Sequence, residues 1–373
     1  DLVSVSLFLV CLLWGSDHKV LVTTCVLGDV LSGEVTNVRS REPSRTQYVF
    51  RSDDGCSILV TANRFPEIEA GYKVRVEGEI EPISEFPVEY SVYADYRNRQ
   101  GIDGTVRFAT ITVLDNQPTQ LAVLQRIVRH QISSVFLDPE ASVVRAMMLA
   151  DRGGISDELT ELFRSVGVGH ILAISGLHIS IVAGLLLIGL YRVPINPWMR
   201  GLFVIGMLWL FVLLVGAPLS AVRASFFWTI GLLAFQMRAL VSLWTVYVMT
   251  AVGFISVSPS VLHDVGFQLS FLAVGGIGLS LFFVKARKTW QQVVLVSAGA
   301  FIATLPIISY HFGIVSVLGI LANVIIVPTT SLFLTVATVV LLASFFFPTV
   351  ALLGSVIVRI LFQFMVWAAT IVE

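Results

Sequence analysis

From Gly176 onward, apolar runs of about 15 to 24 residues follow one another with only short polar breaks between them. In lipid every backbone N–H and C=O must find its partner within the protein, and a helix needs roughly 20 apolar residues to cross. The runs therefore read as membrane helices over 176–191, 200–215, 218–237, 240–257, 265–284, 289–310, 313–327, 329–346 and 349–372. Several are short, and the stretch at Gly313 reads either as a crossing or as a re-entrant segment ending at Pro328. Composition agrees: 56% of the 373 residues are apolar and 13% are charged, well under the roughly 25% of soluble domains.

The charge is split along the chain. Residues 14–116 hold eleven Lys/Arg against sixteen Asp/Glu, and residues 117–373 hold thirteen against eight. A hydrated module of about 100 residues ahead of a greasy one is the simplest account. Within the module, short β-branched and aromatic segments such as 47–50, 57–61 and 73–80 alternate with Gly, Pro, Asn and Asp, which points to a small closed barrel of OB type. The apolar residues ahead of Trp14 are too few to span, and they read as the end of a transmembrane helix on a truncated chain. Cys25 and Cys56 lie in the module without C-x-x-C spacing. They are read as buried free thiols or, in an oxidising compartment, as a pair.

Between 121 and 163, charges recur at helical spacing among apolar residues, which predicts two or three amphipathic helices on the membrane or against the bundle. The domains expected are thus 1–14, a partial transmembrane helix; 26–116, OB-like; 117–165, amphipathic helices; and 166–373, the membrane domain. The fold class is α+β, a polytopic helical bundle preceded by a small extracytoplasmic barrel. Loop cations set the orientation. Arg192, Arg200, Arg238, Lys285, Arg287 and Lys288 fall in alternate loops, while the loops near Gly216, Ser258, His311 and Phe347 hold none. By the positive-inside rule the module lies outside the cytoplasm.

A charge at a helix centre costs on the order of 2.5 to 3.5 kcal/mol in the membrane, so polar residues there call for a reason. Arg223 follows the break GAPLSAVRA. Asp264 and Gln268 share one helical face, and His178 sits near the start of AISGLHISIVAG with Ser175 before it and His170 further back. Arg223 and Asp264 read either as an ion pair fastening two helices or as a polar vestibule that meets an anion. His178 reads as an interhelical hydrogen bond or as part of that vestibule. Gly176, Ser180 and Gly184 read as a close-packing ridge. Asn323 is expected near the midplane. Ser175, His178 and Asp264 are the residue types of a nucleophilic triad, and His170, His178 and His263 could be ligands, but no G-x-S-x-G, H-E-x-x-H or Cys/His cluster is present. No metal, cofactor or catalytic residue is expected. Without G-x-x-x-x-G-K-[ST], energy for transport must come from elsewhere.

The stretch MMLADRGGISDELTELFRSVGVGHILAISGLHISIVAGL closely resembles the signature of the ComEC family of competence proteins: an acidic residue, a short helix, then G-x-x-H-x-x-A-I-S-G-L-H. GAPLSAVRA, PSVLHDVGFQLSFLAVGG and TLPIISYHFGIVSVLGILANVIIVP follow in the family's order. The resemblance implies an inner-membrane channel for single-stranded DNA, with an external DNA receptor and a cytoplasmic ATP-driven motor as partners. The family residues map onto Asp151, His170, Ser175, Gly176, His178, Arg223, Asp264, Gln268 and Asn323. Nothing resembles the H-x-H-x-D-H motif of the metallo-β-lactamase-like domain found in many members, so nuclease activity is not carried over and a separate nuclease joins the expected partners. In the OB-like module, Arg39, Arg41, Arg45 and Arg51 cluster beside Tyr48 and Phe50. They are the candidate DNA contacts, although the module's net charge is negative and single-strand binders generally offer a basic groove. The competing reading of the whole chain is a secondary transporter of a small anionic solute.

Overall fold

Alternating inward and outward side chains build the first unit. The computed structural model describes residues 30–41, 45–63, 68–82, 102–152, 154–239, 241–283, 289–312 and 319–372. They fall into two compact units that divide between Ile155 and Ser156.

In the first unit, strands β1 (Val30–Arg41), β2 (Arg45–Ser52), β3 (Ser57–Asn63), β4 (Lys73–Glu77) and β6 (Gly104–Asp115) close on themselves in the order β1-β2-β3-β6-β4. The β3–β6 pairing is parallel and the others are antiparallel. A five-stranded ring with one parallel closure is the OB-type barrel expected. The expected strand over 73–80 breaks at Gly78, and its far end becomes β5 (Ile80–Pro82), which pairs with β6 outside the ring. Strand β1 serves both β2 and β4, and at Gly33 the two partners meet. A Cβ there would lie 2.1 Å from the Arg51 carbonyl oxygen, so the closure requires glycine.

Val35, Tyr48, Phe50, Ile58, Val60, Val74 and Val76 fill the barrel. Cys56 is disulfide-bonded, which overturns the free-thiol reading for this residue; Cys11 and Cys25 lie outside the described residues. Helix α1 (Gln120–Val135), capped by Thr119, is tied back to the barrel by Arg126. Its Nε donates to Glu69 Oε1 at 3.0 Å and its Nη2 to Oε2, and these bonds hold the Arg126 pKa above the ordinary arginine value. Helix α2 (Glu140–Leu149) follows in the same unit.

The second unit begins with α3 (Asp157–Ser165), capped by the Ser156 hydroxyl, with Asp157 and Glu158 in its first turn and Arg164 in its last, as the helix dipole favours. Eight apolar helices follow: α4 (Gly176–Leu190), α5 (Pro197–Leu214), α6 (Leu219–Gln236), α7 (Leu243–Val257), α8 (Val265–Phe283), α9 (Thr289–Phe312), α10 (Gly319–Ser344) and α11 (Pro348–Val372). Six are long and apolar enough to cross a bilayer, while α4 and α7 are shorter. Their exposed faces are greasy, as at Leu213, Leu243, Phe282 and Leu353, while Thr250, Ser225 and Thr330 are buried. This inversion of the soluble pattern, with the apolar run lengths, makes the chain a multi-pass membrane protein.

One expectation fails. Residues 313–327 and 329–346 were to form two segments divided at Pro328, but α10 runs through the proline. Proline removes an N–H and leaves the carbonyl four residues back, that of Val324, without its helical donor. The Thr329, Thr330 and Ser331 hydroxyls donate to the next three carbonyls, those of Ile325, Ile326 and Val327, each at 2.8 Å, without replacing that bond. Asn323 is consequently only the fifth residue of α10, roughly 6 Å from its start and not near the middle.

Candidate functional site

The break after α5 reverses the chain through two residues in the left-handed region, Gly216 (φ 79) and Ala217 (φ 50). Pro218 then starts α6, which meets α4 at successive rungs. Ser220 Oγ donates to the Ile174 carbonyl at 2.6 Å, Gly176 faces the Ala224 methyl, and Trp228 Nε1 donates to Ser180 Oγ at 3.1 Å. The expected ridge thus packs at Gly176 and Ser180. Gly184 has nothing within 4 Å of where a Cβ would stand, because the helix face has turned away from α6 by then.

Arg223 lies on α6 and is buried, with 6% of its surface exposed. Its Nη2 donates to the Gly266 carbonyl at 3.0 Å, while Nε and Nη1 have no hydrogen-bond partner among the described residues. A buried guanidinium ordinarily pairs with a carboxylate, yet Asp264 lies beyond ion-pair distance. Asp264 Oδ1 instead accepts the Phe267 N–H at 2.7 Å and caps α8, and Gln268 Nε2 donates to the Leu262 carbonyl at 2.8 Å. Those two residues fasten the 3-10 turn Pro259–His263 to α8. Arg223 and Asp264 therefore make no direct contact, although both flank Gly266 and the carboxylate still acts on the guanidinium through space.

Arg223 opens on a cavity of about 290 Å³ walled by α4, α6, α7 and α8. Polar groups from all four helices reach it: Ser180, Ser220, Tyr247, Thr250 and Ser270, with Trp228 and Phe271 as aromatic walls. A chain of rings, Trp209–Phe226–Phe254–Phe267–Phe271–Tyr247–Trp244, links α5, α6, α7 and α8 at centroid separations of 4.3 to 6.4 Å. A cation lining a low-dielectric, partly hydroxylated cavity is chemically suited to an anion, although Nε and Nη1 are themselves enclosed by protein.

The other expected residues are scattered. His178 is buried, and its Nδ1 accepts the Ser175 N–H at 3.2 Å and lies 3.0 Å from Ser175 Oγ. Histidine thus takes the place of the acid in a capping box at the start of α4. This assigns the neutral tautomer with the proton on Nε2, a nitrogen that is buried without a partner among the described residues. Asp264 does not complete a triad, being turned onto Phe267. His170 is exposed on the 3-10 turn Gly169–Leu172. Asp151 belongs to the first unit, where it pairs with Arg129 at 3.0 Å and joins α1 to the end of α2. Asn323 Oδ1 is buried and unpartnered but does not line the cavity.

Ser220, Trp228 and Tyr247 went unnoticed in the sequence, although Ser220 stands three residues before Arg223 on one helical face. Arg359, a lone charge well inside α11, was also passed over; it has a partner in the structure.

In the barrel, Tyr48 and Phe50 are 1% and 0% exposed. They belong to the core and offer no stacking face, which corrects their expected role. Strand β2 turns alternate residues outward, and Arg45 and Arg51 are the exposed ones. The side chains of Arg39 and Arg41 lie outside the described residues.

The class defined so far is a multi-pass membrane protein with a closed OB-type barrel and a buried arginine beside a cavity among its helices. A family model described as "Competence protein" matches residues 147–373, and the chain belongs to that family. It is 28% identical to ComE operon protein 3 of Bacillus subtilis over 266 residues, 70% of this chain and 34% of the relative. It is 23% identical to Competence protein ComA of Neisseria gonorrhoeae over 403 residues, 97% of this chain and 56% of the relative. An uncharacterized protein of Aquifex aeolicus is 29% identical over 211 residues, 55% of this chain and 49% of the relative. The chain thus spans about a third to just over half the length of the curated relatives it matches. No solved structure matches it.

Proposed function

We propose that the chain acts in natural transformation by passing single-stranded DNA across the bacterial inner membrane, with the barrel outside the cytoplasm. The observation that carries this reading is Arg223, a buried guanidinium with two unpartnered nitrogens beside a cavity. Membership of the competence family, with a relative named as a competence protein, supports reading that anion as DNA. The disulfide at Cys56 favours an oxidising compartment for the barrel. An external DNA receptor, a cytoplasmic ATP-driven motor and a separate nuclease are the proposed partners.

The cavity size also suits a small anion: about 290 Å³ is at the lower end of ligand sites, roughly 300 to 1,000 Å³. Secondary transport of an anionic solute therefore stays as the second reading. Uptake separates the two. In a strain lacking the gene, radiolabelled DNA should bind to cells but stay accessible to added nuclease, and complementation should restore a protected cytoplasmic fraction. Normal DNA protection in the deletion strain, with a lost anion flux, would leave the transporter standing.

The orientation has its own test. With residues 319–344 in one helix, eight crossings from Gly176 move the loop at 345–347 to the cytoplasmic side. Nine segments would have left it outside. With the native cysteines replaced, a probe cysteine at Phe346 should resist a membrane-impermeant maleimide in intact cells, while one at Asp54 should react. Labelling at Phe346 would overturn the eight-helix topology.

A further inference from the structure

Phe108 departs from the rules that govern the rest of its barrel. The β3–β6 register passes from Thr61↔Arg107 to Ala62↔Ala109, leaving Phe108 as an extra, unpaired residue. The pairing of β6 with β4 and with β5 also omits it. Its φ of 62° lies in the left-handed region, which is costly for a bulky side chain and is a form of strain that collects at functional sites. The bulge turns both Arg107 and Phe108 outward in succession. The ring is 70% exposed, and among the described barrel residues it is the one exposed aromatic.

Its neighbours are equally particular. The Arg45 guanidinium lies 4.4 Å from the ring centroid, and Arg45 pairs in register with Asn63 on β3. Arg45, Thr61, Asn63, Phe108 and Thr110 line a groove of about 280 Å³. With one face of the ring under the guanidinium and most of the ring still exposed, the other face is open to a planar group. An exposed ring, an arginine and hydrogen-bonding side chains in one groove are the elements with which OB-type barrels hold single strands: stacking for a base and charge for its phosphate.

We infer that this groove is a stacking site for single-stranded nucleic acid, with a base on Phe108 and the backbone phosphate beside Arg45. The inference rests on the DNA reading of the chain. It moves the barrel's contact from the buried Tyr48 and Phe50 to the β6 bulge, and it predicts binding with little sequence preference. A single site of this kind is compatible with a module whose net charge is negative.

The test uses the full chain in detergent or nanodiscs with fluorescein-labelled oligothymidine. Phe108→Ala should weaken binding by on the order of tenfold, Phe108→Trp should retain it, and Arg45→Gln should weaken it and flatten its salt dependence. Single strands should compete and duplex should not. An oligonucleotide carrying iododeoxyuridine should crosslink on irradiation to the peptide that holds Phe108. Wild-type affinity in Phe108→Ala, or crosslinks that map only to other peptides, would overturn the site. Crosslinking at Phe108 in a protein that fails to bring DNA into cells would preserve this site and sink the channel.

Discussion

Replacing Arg223 by alanine is expected to cut the nuclease-protected DNA inside cells by about a hundredfold or more while leaving the protein at its normal level in the membrane. The magnitude follows from losing a charge-assisted contact of about 3 kcal/mol in a low-dielectric site. The intact level follows from the pairing. Arg223 makes one bond, to the Gly266 carbonyl, and Asp264, which acts on it only through space, keeps its own bond to the Phe267 N–H when the arginine is removed. Alanine also removes a desolvated charge, which eases insertion. Arg223→Lys keeps the charge without the guanidinium fork and should fall between the two. Parallel loss of protein and uptake would show instead that Arg223 mainly fastens α6 to α8. The measurements are immunoblots of membrane fractions and protected label from the same cells.

Gly276→Val should be the most damaging substitution in the bundle for stability. A Cβ at Gly276 would lie 2.3 Å from the Gly299 carbonyl oxygen and 2.6 Å from the Ala303 Cβ. A Cβ at Gly299 would lie 2.7 Å from the Gly276 carbonyl oxygen. The backbones of α8 and α9 touch at this point, so a branched side chain must push the helices apart, and no flexible side chain can yield instead. Overpacking of this kind costs about 1–3 kcal/mol or more, and roughly tenfold less protein should survive in the membrane. Gly206→Val on α5, where a Cβ meets nothing within 4 Å, is the control. Equal abundance of the two variants would refute the close α8–α9 contact.

What could be read in the sequence depended on the range of the cause. The barrel was legible because inward and outward residues alternate with period two, and the membrane helices because their length is set by the bilayer. Tyr48 and Phe50 show the limit. They are two residues apart, so they must share a face, but only the register chooses which face. Pro328 misled for a different reason, since a proline within a long membrane helix can cost one backbone bond without ending the helix. Asp264 was read as an electrostatic partner because Arg223 needed one, although Asp before a helix is first of all a cap. Phe108 could not be anticipated, because a bulge depends on strands distant in sequence.

Helices α4 and α7 have 15 residues each, about 22 Å of helix against roughly 30 Å of hydrocarbon. Helices α10 and α11, with 26 and 25 residues, reach about 38 Å. Both short helices supply walls of the cavity beside Arg223. A span this short is accommodated by local thinning of the bilayer, by snorkelling flanking residues or by association with other protein. On the DNA reading, the two short helices set the shortest apolar distance that a phosphodiester beside Arg223 would have to cross.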